Sequence, residues 1–117
     1  MSRYLISIYH DESAQQQWSE AQVADYNSVF HQYMQALQKS GTLLRMIIPM
    51  PSTTATTLQV RNGKTVTVGT PFAGVKEQPY TYCLLDCKDL GEVMALATKM
   101  PLAVNWSVEI RPVIDVE

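Results

Sequence analysis

The sequence predicts an α+β domain of the ferredoxin-like type, a βαββαβ order with a β-hairpin inserted at its middle. Three observations predict it. Two segments carry apolar residues at helical spacing behind capping signals. Four segments alternate in the two-residue rhythm of strands. An Asn-Gly pair separates two short β-branched runs, the signal of a tight hairpin. At 117 residues, 46% of them hydrophobic and 17% charged, the chain has the material for one core. Residues 1–117 are therefore read as a single domain.

Residues 3–9 open the chain as a strand. Tyr4, Ile6 and Ile8 fall on one face; Leu5, Ser7 and Tyr9 fall on the other. Both faces are largely apolar, as expected of a central strand, and the polar His10, Asp11 and Glu12 are expected to end it. Ser19 and Gln22 have capping-box spacing, and Val23, Tyr26, Phe30, Met34 and Leu37 make one long helical face. Gly41 stops that helix. A strand over 42–48 ends at Pro49 and Pro51. The hairpin pairs 58–61 with 65–68 around Asn62-Gly63, both of which need positive φ in a type I′ turn. A loop over 69–74 contains Pro71 and Phe72. A strand follows over 80–86, then a helix with Asp89 and Glu92 as a second capping box, ended by Pro101. The last strand covers 106–113.

Both helices are expected on one face of an antiparallel sheet. The opposite face reads as apolar and has no covering element in this chain. A second copy packed sheet against sheet would cover it, so a two-fold homodimer is predicted.

Charge and composition narrow the function. The net charge is −2, from 9 basic and 11 acidic residues, with no run of Lys or Arg to track phosphates. A nucleic-acid partner is not expected. No apolar stretch approaches the roughly 20 residues that cross a bilayer, and the N-terminus lacks a signal peptide's apolar core, so a cytoplasmic protein off the membrane is expected. With Cys83 in an extended strand, the four residues from it to Cys87 span roughly 13 Å, too far for a disulfide. Reduced thiols are expected, with Cys83 in the core. No metal-ligand spacing and no clustered glycines are present, so neither a metal nor another cofactor is expected.

One family resemblance spans nearly the whole chain. It is carried by Ile8-Tyr9, Asp11-Glu12, Ala55-Thr56-Thr57 and Val60-Arg61-Asn62-Gly63-Lys64. Further along it is carried by Gly69-Thr70-Pro71-Phe72-Ala73, Lys76-Glu77-Gln78 and Val108-Glu109-Ile110-Arg111-Pro112. In this order and spacing they resemble the DGPF subgroup of the YCII-related proteins. The resemblance implies a ferredoxin-like, dimeric α/β-barrel type of fold, a bacterial source and an active-site His–Asp pair. It also implies an association with extracytoplasmic-function sigma factors. Gly69-Thr70 stands where the subgroup has Asp-Gly. Tyr80-Thr81, preceded by Pro79, replaces a Gly-Gly, and Arg45-Met46-Ile47-Ile48 replaces a Gly-rich strand. A family ligand site is expected to be reshaped or filled by these side chains.

The implied pair falls on His31, in the first helix, and Asp11, just past the first strand. If the two meet, Asp11 fixes the tautomer and His31 serves as a base near neutral pH. Otherwise His31 is a helix-surface residue and Asp11 a loop carboxylate. His10 neighbours Asp11 but points the other way, and it is expected in solvent. Lys76 and Glu77 either bind and activate a ligand or pair with each other to fix the loop. Phe72 either floors a pocket or anchors the loop in the core. Arg45 and Arg111 each bind an anion or pair with a carboxylate across the sheet. Two functions fit. One is a small-molecule-binding protein, as an enzyme free of cofactors, with its pocket between the first helix, the sheet and the Pro-Phe loop. The other is a dimeric binding or regulatory module that contacts a protein partner.

Overall fold

The computed structural model describes residues 2–69, 76–103 and 105–114. Among the described residues six strands and three α-helices run in the order β1 (Ser2–Asp11), α1 (Glu12–Gln15), α2 (Glu20–Lys39), β2 (Leu43–Ile47), β3 (Thr57–Arg61), β4 (Lys64–Val68), β5 (Glu77–Cys87), α3 (Leu90–Lys99) and β6 (Ser107–Pro112). The main sheet has the order β2-β5-β1-β6 with antiparallel neighbours. This is the ferredoxin-like arrangement, with β3 and β4 inserted between its second and third strands as a separate two-stranded sheet.

Local chemistry fixes the ends of these elements. Ser19 accepts from the Gln22 N–H while the Gln22 side chain accepts from the Ser19 N–H, a complete capping box at the start of α2. Gly41 follows α2 with φ of +82°. Asn62 and Gly63 have φ of +53° and +74°, as the type I′ turn requires. At α3, Asp89 accepts from the Glu92 N–H, but the Glu92 carboxylate lies beside the Cys87 thiol, so half of the expected box forms.

The core sits between the helices and one face of the sheet. Ile6, Ile8, Cys83 and Leu85 from the central strands are fully buried beneath Phe30 and Met34 of α2 and Val93 of α3. The Tyr33 hydroxyl donates to the Leu96 carbonyl at 2.7 Å and ties α2 to α3. Both thiols are free and buried, and burial pushes that of Cys83 up to about 12.

Four expectations change. β1 runs two residues beyond Tyr9, so His10 and Asp11 are strand residues; the backbone pairing of Asp11 with Glu77 of β5 outweighs the polarity of the side chains. The short helix α1, too polar to show an apolar period, follows at once. The open face of the sheet is also not uniformly apolar. By alternation and register, Leu5, Tyr9, Tyr82 and Leu84 form its half-buried middle, while Arg45 on β2 and Glu109 and Arg111 on β6 charge its edges. Arg111 pairs with Glu109 at 3.2 Å on its own strand rather than across the sheet. No helix among the described residues is long and apolar enough to cross a membrane.

Candidate functional site

The site grows from the end of β1. Alternation that buries Tyr4, Ile6 and Ile8 carries one step further to His10, whose ring also faces the helices. His10 is 7% exposed, not in solvent as its polarity and terminal position suggest. Opposite it, the register of β1 and β5 shifts between Ile8 and Tyr9: Ile8 pairs with Thr81 and Tyr9 with Pro79, leaving Tyr80 as the extra residue of a β-bulge. The bulge turns Tyr80 against the His10 ring, with centroids 5.0 Å apart and planes at 61°. Trp106, just before β6, meets His10 from another side at 5.3 Å and 74°. These edge-to-face contacts set the positive edge of one ring on the negative face of another. Tyr26 and Phe30 of α2 extend the cluster, at 5.0 Å from Trp106 and 5.9 Å from Tyr80 respectively.

A hollow of about 320 Å³ opens beside this cluster. That is the lower end of the roughly 300–1,000 Å³ usual for small-molecule pockets. His10, Pro79 and Tyr80 form one wall, Glu12, Gln15 and Gln16 a second, and residues 48–51 a third, with Val23 of α2. Its surface is mainly apolar. The His10 Nδ1 atom is buried with no hydrogen-bond partner among the described residues, and so is Oε1 of Gln15. Glu12 anchors the rim: its Oε2 accepts from the Ser52 N–H at 2.9 Å, joining α1 to the segment after β2. Hydrogen bonds from Ser52 hold the Glu12 carboxyl below its ordinary range, against desolvation. Burial raises the Tyr80 phenol above its usual value, so it stays neutral. Among the described residues no group of three or more His, Cys, Asp and Glu side chains is placed to hold a metal.

A model of the YCII-related domain matches residues 2–117. The chain belongs to the YCII-related family. An uncharacterized protein of Rhizobium meliloti (strain 1021) is 33% identical to it over 115 residues, covering 93% of this chain and 90% of the relative.

In this YCII-related chain five candidate residues marked out by sequence, Asp11, Lys76, Glu77, His31 and Arg45, fall into two groups, neither of which lines the His10 hollow. Asp11, Lys76 and Glu77 border one hollow of about 350 Å³ together with Trp18 and Trp106. Asp11 caps α1, accepting from the Ser13 N–H at 3.1 Å and the Ser13 hydroxyl at 2.7 Å. The Ser13 hydroxyl bond is the main cause holding the Asp11 carboxyl below its ordinary range. Lys76 pairs with Asp11 at 3.4 Å, so the partner of this lysine is the strand-end carboxylate rather than its neighbour Glu77. His31 and Arg45 border another hollow, of about 220 Å³, between α2 and β2. His31 is exposed, and its Nε2 lies 3.3 Å from Nε2 of Gln35. No hydrogen bond or ion pair joins His31 to Asp11 among the described residues. Phe72 lies outside the described residues. Tyr80, where the resemblance has glycine, fills space with its ring and walls the His10 hollow. The signal that finds His10 is the continued alternation of Tyr4, Ile6, Ile8 and His10. Strand extension through Asp11 makes it valid.

Proposed function

We propose that this YCII-related protein binds a small, mainly apolar molecule in the hollow beside Tyr80, with His10 as the group that exchanges a proton with it. The supporting observation is the buried imidazole with an unpartnered Nδ1 on the wall of an apolar hollow. A buried polar atom without a partner costs free energy, and ligand sites are where such atoms are kept. An imidazole is also the side chain best suited to acid–base work near neutral pH.

The test is a thermal-shift screen of small apolar molecules against the wild type, His10→Gln, Asp11→Ala and His31→Ala. Stabilisation by a hit is expected to vanish in His10→Gln and to persist in the other two. The reverse pattern would transfer the acid–base role to Asp11 and His31, the pair implied by the family resemblance.

The open sheet face favours a homodimer as the working form. Leu5, Tyr9, Tyr82 and Leu84 have no covering element among the described residues, and Leu58 and Val60 of the inserted hairpin are 64% and 65% exposed. An isolated two-stranded hairpin is at best marginally stable, so contact with a second copy would secure it. Light scattering behind size exclusion is expected to give twice the chain mass. A monomer at high concentration would remove the dimer from this reading without touching the hollow.

A further inference from the structure

The charges and acceptors around the His10 hollow select among ligands, and this selection rests on the binding site proposed above. Among the described residues lining it, Glu12 contributes a carboxylate and no lysine or arginine is present. A carboxylate or phosphate ligand would meet a like charge with no cation to offset it. The unsatisfied atoms point the same way. His10 Nδ1 accepts a hydrogen bond when the ring proton sits on Nε2, and the Gln15 side-chain oxygen is a second acceptor without a partner. Glu12 uses Oε2 toward Ser52 and keeps acceptor capacity on the rest of its carboxylate. Three acceptors around one apolar hollow match the three N–H donors of a primary ammonium group.

We infer that the ligand is a small primary amine with an apolar body, its ammonium group held by Glu12, Gln15 and His10. The apolar body lies against Ile48, Met50 and Pro79, and the face of Tyr80 adds cation–π attraction to the ammonium. Solvent does not reach His10 Nδ1 or Gln15 Oε1 in the unliganded arrangement. Binding of the ammonium therefore includes a side-chain rearrangement that brings these two acceptors to the surface of the hollow.

Three probes of one shape separate the chemistry: benzylamine, benzyl alcohol and benzoate, titrated by calorimetry into the full chain at pH 7.5. Benzylamine is expected to bind most tightly, benzyl alcohol more weakly and benzoate not at all. Glu12→Gln keeps an acceptor for the Ser52 N–H but loses the charge. It should weaken benzylamine by about tenfold or more, since charge-assisted hydrogen bonds are roughly twice as strong as neutral ones. The same change should leave benzyl alcohol unaltered. Gln15→Leu removes the second acceptor and should weaken benzylamine in a protein whose Glu12 is intact. Benzoate binding as well as benzylamine would overturn the amine assignment, as would an affinity for benzylamine equal to that for benzyl alcohol in both wild type and Glu12→Gln. Either result, with binding still abolished by His10→Gln, would leave the hollow as the binding site. Binding of benzylamine and benzyl alcohol unchanged in His10→Gln would instead overturn the hollow itself.

Discussion

The chain has two histidines, and the fold treats them in opposite ways. His10 sits on a central strand, buried between Tyr80 and Trp106, with one ring nitrogen unpartnered. His31 sits one residue past the buried Phe30 on α2, and that single step turns it from the core to solvent. Residue type does not separate the two; register does. One residue on a strand selects a face of the sheet, and one residue on a helix turns the side chain by about 100°. A polar side chain acquires a chemical role from the face on which alternation places it.

Truncating the two rings should produce the widest separation between these regions. His10→Ala removes a buried ring from an aromatic cluster and is expected to cost about 2–4 kcal/mol, the range for large-to-small core changes. Chemical denaturation measures it, and a cost near zero would mean that the ring is not packed as described. The next effect comes from Ser19→Ala. It breaks the capping box at the α2 end that feeds Val23 to the hollow and Tyr26 to the cluster, and is expected to cost about 1 kcal/mol. A smaller effect appears with acid. The folded-state pKa of Glu12 lies below its ordinary 4.5, so its contribution is complete above that pH and is lost as pH falls through the lower folded value. Stability measured from pH 6 to 3 should fall less steeply in Glu12→Gln than in the wild type; parallel curves would exclude this contribution. Last, His31→Ala should stay within about 0.5 kcal/mol, as surface substitutions do. A larger loss would give His31 a structural role.

Much of this fold was legible in the sequence because its signals are local. The Ser19–Gln22 box, the face from Val23 to Leu37, Gly41 and the Asn62-Gly63 turn each depend on residues a few positions apart, and each forms as its chemistry requires. The family was legible because its residues are spread in order along the chain. The surroundings of the site were not, because they come from partners far away in sequence. The Tyr80 bulge arises from the register between β1 and β5. The partner of Lys76 is a strand-end carboxylate 65 positions earlier, and the bond from Ser52 to Glu12 spans 40 positions. His10 lay at the margin of what could be read: its alternation with Ile6 and Ile8 is plain, but whether the strand continued that far depended on the pairing of Asp11 with Glu77.

The difference between the two rings can be observed directly by nuclear magnetic resonance, since two histidines give two sets of imidazole signals. His10, assigned by its loss in His10→Gln, is expected to show Cε1–H displaced upfield by the neighbouring rings and to move further on addition of benzylamine. His31 is expected to keep the shift of a solvated imidazole throughout. Two superimposable signals at solvated positions, both indifferent to the ligand, would contradict the account.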